Sequence, residues 1–385
     1  MSQKVYDYII CGAGASGLIL ASSMLDEKYF SNKKILLIEK ENKKLNDRTW
    51  SFWEKKGGKF DNLISKSWSI GKFNSSNNTL KFNLDPFVYK TIRSSDFYKK
   101  LFNKLKLNKQ IKILNLEVKK IINNKNEVVV NTNTKNFVGK YVFSSILEKD
   151  ILKNSSFPYL KQHFEGWFIK TNKPFFDENE TTLMDFSINQ KNDTRFMYIL
   201  PFKSNEALIE FTLFTKSILK KPEYEKVLKE YLTNKGINSY EILEKEQGII
   251  PMTCYPFEKH NNSRVLFIGT AGGWTKASSG YTFKNIITKT ELLINFLKRE
   301  NDLTKFNLKS RFNFYDLILI DVLYNYNHLG NKIFSSLFRN NKPNKVLNFL
   351  DEKTNLIDEL KIMYSFPWSI KILFIKALFK NLFKY

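Results

Sequence analysis

Residues 6–25 read YDYIICGAGASGLILASSML, and Gly12-Ala13-Gly14-Ala15-Ser16-Gly17 inside that stretch carry the spacing of a phosphate-cradling loop. Just upstream, Val5 to Cys11 is a short apolar run of the kind that forms a buried parallel strand. Downstream, Leu18 to Asp26 reads as a helix, with small Ala21, Ser22 and Ser23 where it presses on a sheet. Lys33-Lys34 lead into a second apolar run, Ile35-Leu36-Leu37-Ile38, which ends at Glu39. Strand, glycine turn, helix and second strand thus follow within the ~30 residues of a dinucleotide-binding β-α-β unit. Gly12 permits the tight turn, Gly14 lets backbone N–H groups approach a pyrophosphate, and Gly17 allows close helix-sheet contact. The helix N-terminus behind them favours negative charge. Glu39, 22 residues beyond Gly17, suits both hydroxyls of an adenosine ribose and disfavours a 2′-phosphate, so FAD or NAD fits better than NADP.

Beyond this unit, Ser94-Ser95-Asp96 caps a helix predicted through Leu107, and Ile111 to Val118, Glu127 to Val130 and Tyr141 to Ser145 read as strands. From Glu165 the texture changes. FEGWFIKT, TLMDFSIN, RFMYILPF and ALIEFTLF are aromatic-rich strands separated by polar turns, which predicts a second, largely antiparallel domain. Lys220 to Asn234 reads as a helix with Pro222 in its first turn. After it, Val265 to Ile268 is a strand followed by Gly269, Gly272, Gly273 and Gly280, then a helix from about Thr282 to Lys298. A second glycine-rich turn aimed at an anion or ring, placed after an inserted domain, points to a flavoprotein.

The expected architecture is α/β: a Rossmann-type FAD-binding fold with an inserted, mostly antiparallel substrate domain and a helical C-terminal region. Residues 1–160 form the first part of the FAD-binding domain, with 60–90 compatible with either domain. Residues 161–262 form the substrate domain, 263–300 the second FAD-binding part, and 301–385 the helical region.

The chain has 385 residues, a formal net charge of +24 and 34 Phe, enough length for two substantial cores. The basicity reads as composition drift, a nucleic-acid surface or an anionic membrane surface. Cys11 and Cys254 build no disulfide framework and read as small buried hydrophobes. His163, His260 and His328 are too scattered for a metal site. No signal peptide precedes the first strand and no apolar run is long enough to span a bilayer, so the expected compartment is the cytoplasm. The last twenty residues, FPWSIKILFIKALFKNLFKY, place Lys376, Lys380 and Lys384 with Ser369 on one helical face and apolar side chains over much of the rest. That pattern fits either a helix docked on the core or an interfacial anchor, and the exposure of Phe379 and Phe383 separates the two.

Taken in order, DYIICGAGASGL, NDRTWSFW, QHFEGW, TLMDFSINQ, FMYILPF, LIEFT, EQGIIPM and GTAGGWTKASSGYTF resemble the lycopene cyclase family of FAD-dependent carotenoid enzymes, over roughly the first 300 residues. LIEFT and the terminal SSGYTF weigh most. The chain departs from common flavoprotein patterns at Gly269-Thr270, where many carry Gly-Asp, and at Lys276-Ala277, where many family members carry Lys-Pro. The resemblance implies cyclisation of the linear ends of lycopene or a related carotenoid, with β-rings giving γ- and β-carotene. It is an isomerisation through a carbocation and needs an acid, a base, cation stabilisation and a dry site.

The family's functional glutamate maps onto Glu210, whose apolar neighbours argue for a raised pKa. Asp185 is the second catalytic candidate, either paired with Glu210 or serving as a hydrogen-bonded structural acid. The resemblance also implies reduced FAD, with NAD(P)H as reductant. Gly12, Gly14, Gly17, Glu39, Arg48, Gly269, Gly272 and Gly273 are the cofactor-binding candidates, and no metal is expected. Trp50, Phe52, Trp53, Trp167 and Trp274 are candidates for an aromatic tunnel. A C40 hydrocarbon resides in the bilayer, which favours a membrane surface over nucleic acid as the partner of the basic chain and peripheral attachment as its location. The alternative is a flavin-dependent oxidoreductase, a hydroxylase or polyprenyl reductase acting on a hydrophobic isoprenoid. Oligomeric state is not legible.

Overall fold

The computed structural model describes residues 4–75, 78–148, 150–152 and 155–382. The chain opens with β1 (Val5–Cys11), α1 (Ala15–Leu25) and β2 (Ile35–Glu39). β1 and β2 are parallel, with Ile10 opposite Leu37 and Cys11 opposite Ile38. Both faces of these strands are covered, which is why their sequence is apolar without alternation. α1 is buried from Ala15 to Met24, so it too shows no polar stripe.

Then come β3 (Thr49–Glu54), β4 (Ile64–Trp68), β5 (Ile70–Ser75), β6 (Asn78–Asn83), β7 (Val88–Arg93) and α2 (Ser94–Lys106). α2 carries Asp96 in its first turn and Lys104 and Lys106 in its last, matching the helix dipole. β8 (Ile111–Asn115), β9 (Val118–Asn123), β10 (Val128–Thr132) and β11 (Asn136–Ser144) follow. The single strand expected over 111–118 is two, because Leu116 bonds back to the Glu39 carbonyl at 3.0 Å and the chain turns there.

β12 (Tyr159–Thr171), β13 (Glu180–Asp185), β14 (Thr194–Lys203), β15 (Glu206–Thr215), α3 (Lys221–Asn234) and β16 (Tyr240–Thr253) lead to β17 (Val265–Phe267) and α4 (Phe283–Leu297). α3 is started by Pro222 and by Glu223, which accepts from the Lys220 N–H at 2.8 Å. The last helices are α5 (Arg311–Asn325), α6 (Gly330–Asn340), α7 (Pro343–Leu350), α8 (Leu356–Tyr364) and α9 (Trp368–Asn381).

The first sheet runs β8-β2-β1-β11-β10-β9, with β17 joining β11. Its β8-β2-β1-β11-β17 members are parallel, and β9–β11 form an antiparallel extension. α1, α2 and α4 close one face over Ile10, Leu18, Leu37, Leu101 and Ile294. The second sheet, β16-β12-β15-β14-β13-β5-β6, is antiparallel except where β13 meets β5. β5 and β6 come from between β4 and β7, so an early stretch of chain completes the late sheet. A small β3-β7-β4 sheet joins the two, giving Phe52 and Ile92 to the first core and Trp53 and Tyr89 to the second.

The second sheet has two different faces. Trp167, Ile169, Met197, Ile209, Phe211 and Leu213 pack under α3. The opposite face, with Leu208, Phe196 and Phe214, looks toward α5–α9.

Candidate active site

The glycine loop lies between β1 and the first turn of α1. An added Cβ at Gly17 would lie 1.9 Å from the Gly12 carbonyl oxygen, so the helix can start against the loop only with glycine there. Around the Cβ position of Gly14 there is no heavy atom within 4 Å, which leaves open space above the helix N-terminus. Glu39, at the end of β2, accepts the Ala13 N–H at 2.6 Å and holds the loop beside its own carboxylate. The second glycine turn meets the first: an added Cβ at Gly269 would lie 2.1 Å from Ser16 Oγ. Gly272 and Gly273 follow in the same turn, ahead of Trp274. An open cradle at a helix N-terminus, an acid at the ribose position and a second turn against the first are features that a flavin dinucleotide fits.

From this turn a cavity of about 690 Å³ extends between the second sheet and the C-terminal helices, within the ~300–1,000 Å³ of small-molecule sites. Arg48, Thr49, Thr270, Ser279 and Thr282 line it, as do Leu208, Phe334 and Phe374. The buried Ser279 Oγ and Gln162 Oε1 on its wall have no hydrogen-bond partner among the described residues, so this part of the cavity is prepared for a polar ligand edge. Arg48 lines the cavity, and its guanidinium donates to the Asp47 and Gln247 carbonyls.

Strand parity, ambiguous in the sequence because both faces of β15 are apolar, is resolved here. Leu208, Glu210, Thr212 and Phe214 line the cavity, while Ile209, Phe211 and Leu213 lie under α3. Glu210 is 8% exposed. Burial, followed by the charge of Glu246, pushes its carboxyl up to about 8 against an accepted hydrogen bond from Thr212.

Glu246 is a residue the sequence reading passed over inside EQGIIPM. On β12, Gly166 stands opposite Glu210 on one side and Glu246 on the other. An added Cβ at Gly166 would be 3.2 Å from Glu246 Cγ and 3.5 Å from Glu210 Cβ. Leu208 Cδ1, at 3.0 Å, is closer still, so glycine at this position is what lets Leu208 and the stems of the two glutamates close over β12, near enough for the charge of Glu246 to act on Glu210. Glu246 also lines the cavity and accepts from Thr49 Oγ1 at 2.6 Å. Burial pushes it up to about 7, opposed by that bond and by Arg93 and Arg48.

Asp185 is not brought to Glu210. It is fully buried behind the cavity wall and accepts from Tyr231 at 2.8 Å, Ser187 N–H at 2.8 Å and Asn74 at 3.0 Å, with Lys235 at 3.7 Å. Burial alone would raise its carboxyl, but these bonds hold it below the usual range, so Asp185 ties β13, β5 and α3 together as an ionised acid.

Of the five tunnel candidates, Trp50 and Trp53 line the cavity. Trp167 packs under α3, and Phe52 and Trp274 belong to the first core. The aromatic wall near Glu210 is made instead by Tyr198, Tyr89 and Tyr281, with Tyr89 bonded to the other two hydroxyls at 2.8 and 3.1 Å. The loop lacking proline at Ala277 is held another way. Lys276 is buried and paired with Asp316 of α5 at 3.0 Å and with Glu352 at 3.1 Å.

Solved structures share this fold. A geranylgeranyl bacteriochlorophyll reductase-like protein from Thermoplasma acidophilum matches with a TM-score of 0.64 and 13% identity, over 97% of this chain and 99% of that one. A flavoprotein/dehydrogenase from Cytophaga hutchinsonii matches with 0.64 and 15%, over 99% and 100%. The halogenase PltM, solved in complex with FAD, matches with 0.56 and 12%, over 90% and 79%. At these identities the likeness establishes the FAD-binding flavoprotein fold. No curated protein sequence matches the chain. The family model described as lycopene cyclase protein matches residues 7–373, nearly the whole length. The chain belongs to the lycopene cyclase family.

Proposed function

We propose that the protein is a lycopene cyclase that closes the linear ends of lycopene, or of a related linear carotenoid, into β-rings to give γ- and β-carotene. The observation that carries this reading is Glu210, a buried carboxyl pushed up to about 8, on the wall of a cavity lined mostly by apolar side chains. A carboxylic acid that keeps its proton at neutral pH can give it to an alkene, and a dry wall denies the resulting cation a water molecule. Glu210 protonates the terminal double bond, the neighbouring double bond closes the six-membered ring, and loss of a ring proton leaves the ring alkene. The faces of Tyr198, Tyr89 and Tyr281 beside it favour positive charge by roughly 0.5–2 kcal/mol each.

Gly12, Gly14, Gly17 and Glu39 would hold the adenosine and pyrophosphate end of FAD, with Arg48, Gly269, Gly272 and Gly273 toward the flavin end. Bound there and reduced, with NAD(P)H as reductant, FAD would supply negative charge that stabilises a carbocation without net redox.

The substrate's source is a lipid membrane surface. Leu360, Tyr364 and Ile375 of α8 and α9 are exposed yet also line the cavity, so its wall continues onto an apolar outer surface. Lys371 lies over the rings of Tyr364 and Trp368 at 4.1 and 5.2 Å. Such a basic, aromatic surface suits an anionic interface. No described helix is long and apolar enough to cross a membrane.

The test is expression in a lycopene-accumulating host, with pigments separated afterwards. Ring-bearing carotenoids are expected from the native chain and unchanged lycopene from Glu210→Gln. Stoichiometric NAD(P)H consumption per product would instead make the protein an oxidoreductase.

A further inference from the structure

We propose that Glu246 is the second catalytic carboxylate: it shares one proton with Glu210 over Gly166, takes the proton released by the ring, and returns it to Glu210. The inference rests on the cyclase reading above and supplies the base that reading lacks. The two glutamates come from strands separated only by β12, so their backbones lie about 10 Å apart at ~4.8 Å per strand. A side chain at position 166 would press on Leu208 Cδ1 at 3.0 Å and Glu246 Cγ at 3.2 Å, so glycine is what lets both glutamate stems approach over β12 on the cavity face. Two carboxylates at one site disfavour double ionisation, so the pair retains a proton under conditions where isolated glutamates lose theirs.

The surroundings divide the roles. Glu246 accepts from Thr49 and faces Arg93 and Arg48, with Glu244 on its own strand opposing them; Arg93 is itself engaged by Glu244. Glu210 faces Glu246 and the phenols of Tyr198 and Tyr281, with Thr212 as its donor. The cationic side of the pair is therefore at Glu246, which holds the negative charge, and the proton resides on Glu210.

The cycle balances. The Glu210 proton forms a C–H bond with the π electrons of the terminal alkene. The π pair of the next alkene forms the ring bond. The Glu246 carboxylate removes a proton beside the new cation, and that C–H pair becomes the ring double bond. The proton then crosses to Glu210, and both groups are restored with no oxidant or reductant consumed.

The test compares native FAD-loaded protein with Glu246→Gln, Glu246→Asp and Glu210→Gln, by rate against pH on lycopene and by infrared titration of the protonated carboxyl band. Glu246→Gln should lower the neutral-pH rate at least tenfold and move both the alkaline limb and the carboxyl band about one pH unit lower, because the neighbouring charge that raises Glu210 is gone. Glu246→Asp, which keeps the charge, should restore the position of that limb and serves as the variant to read if the glutamine form folds poorly. A native-like pH profile and band position in Glu246→Gln, with Glu210→Gln inactive, would overturn the pair while leaving the cyclase reading intact. The band shift in Glu246→Gln, together with no ring formed by the native protein, would overturn the cyclase reading and the base step, and leave only the shared proton.

Discussion

Glu210 and Asp185 were both plausible acids in the sequence; both lie below the surface, and what separates them is their hydrogen bonding and the neighbouring charge, Glu246 beside one and Lys235 near the other. Asp185 receives three donors and ionises; Glu210 receives one, from Thr212, and does not. No motif announces that difference, because the donors Asn74 and Tyr231 lie 111 and 46 residues away. Glu210→Gln is expected to reduce ring formation by ~10²–10⁴-fold, the range for loss of a positioned acid, read as cyclised pigment per hour. Asp185→Asn should instead act mainly on stability, with less than a tenfold change in rate in the fraction that folds. The raised carboxyl also has a thermodynamic signature. Its folded value, about 8, lies above its ordinary 4.5, so its contribution to stability is fully present below pH 4.5 and is lost as pH rises toward 8. Denaturant melts at pH 5 and pH 8 should show the native protein losing more stability across that window than Glu210→Gln.

Among the elements, the first β-α-β unit was legible because it is local: the loop, helix and strand that define it lie within Val5–Glu39. In the second sheet β12–β15 were legible as strands, but β5 and β6 were not, and neither was the strand order. β5 pairs with β13 from more than 90 residues upstream and brings β6 with it, and no local pattern encodes such pairing. β16 was missed altogether. It is an edge strand whose exposed positions mix Glu241, Lys245 and Gln247 with Leu243 and Ile249, while its inward positions mix Glu244 and Glu246 with Ile242 and Ile250. The period-2 alternation was present as a signal, but polar residues on both faces concealed it. The loop after β17 makes a separate prediction. Lys276 holds two carboxylates, so Lys276→Met should destabilise the fold by about 3–5 kcal/mol, the cost of leaving buried acids unpaired, measured by denaturant unfolding. A shift below 1 kcal/mol would mean that the loop is held by other contacts.

At the scale of the whole molecule, the C-terminal helices close the cavity and supply its outer rim. α9 has both a docked face and an exposed apolar face. Ile370 and Ala377 are buried and Lys380 reaches Asp321 of α5 at 2.6 Å, so one face docks and this lysine is not directed at head groups. Yet Phe379 is 64% exposed, and Ile372, Ile375 and Leu382 are exposed beside it. Phe383 and Lys384 lie outside the described residues. Replacing Trp368, Ile375 and Phe379 together by Ser should reduce binding to anionic vesicles at least tenfold, since each buried apolar side chain contributes ~1.5–3 kcal/mol, while α9 stays docked. Unchanged co-sedimentation would remove the membrane from the account. The central claim is that a protonated Glu210 in a dry, flavin-bearing cavity closes carotenoid ends without net electron transfer. Its most direct measurement is anaerobic incubation of purified protein with lycopene and reduced FAD, counting rings formed against reductant consumed. Many rings per reduced flavin, falling away above about pH 8 and absent in Glu210→Gln, is the predicted result; one reductant spent per product, or ring formation undiminished in Glu210→Gln, would contradict it.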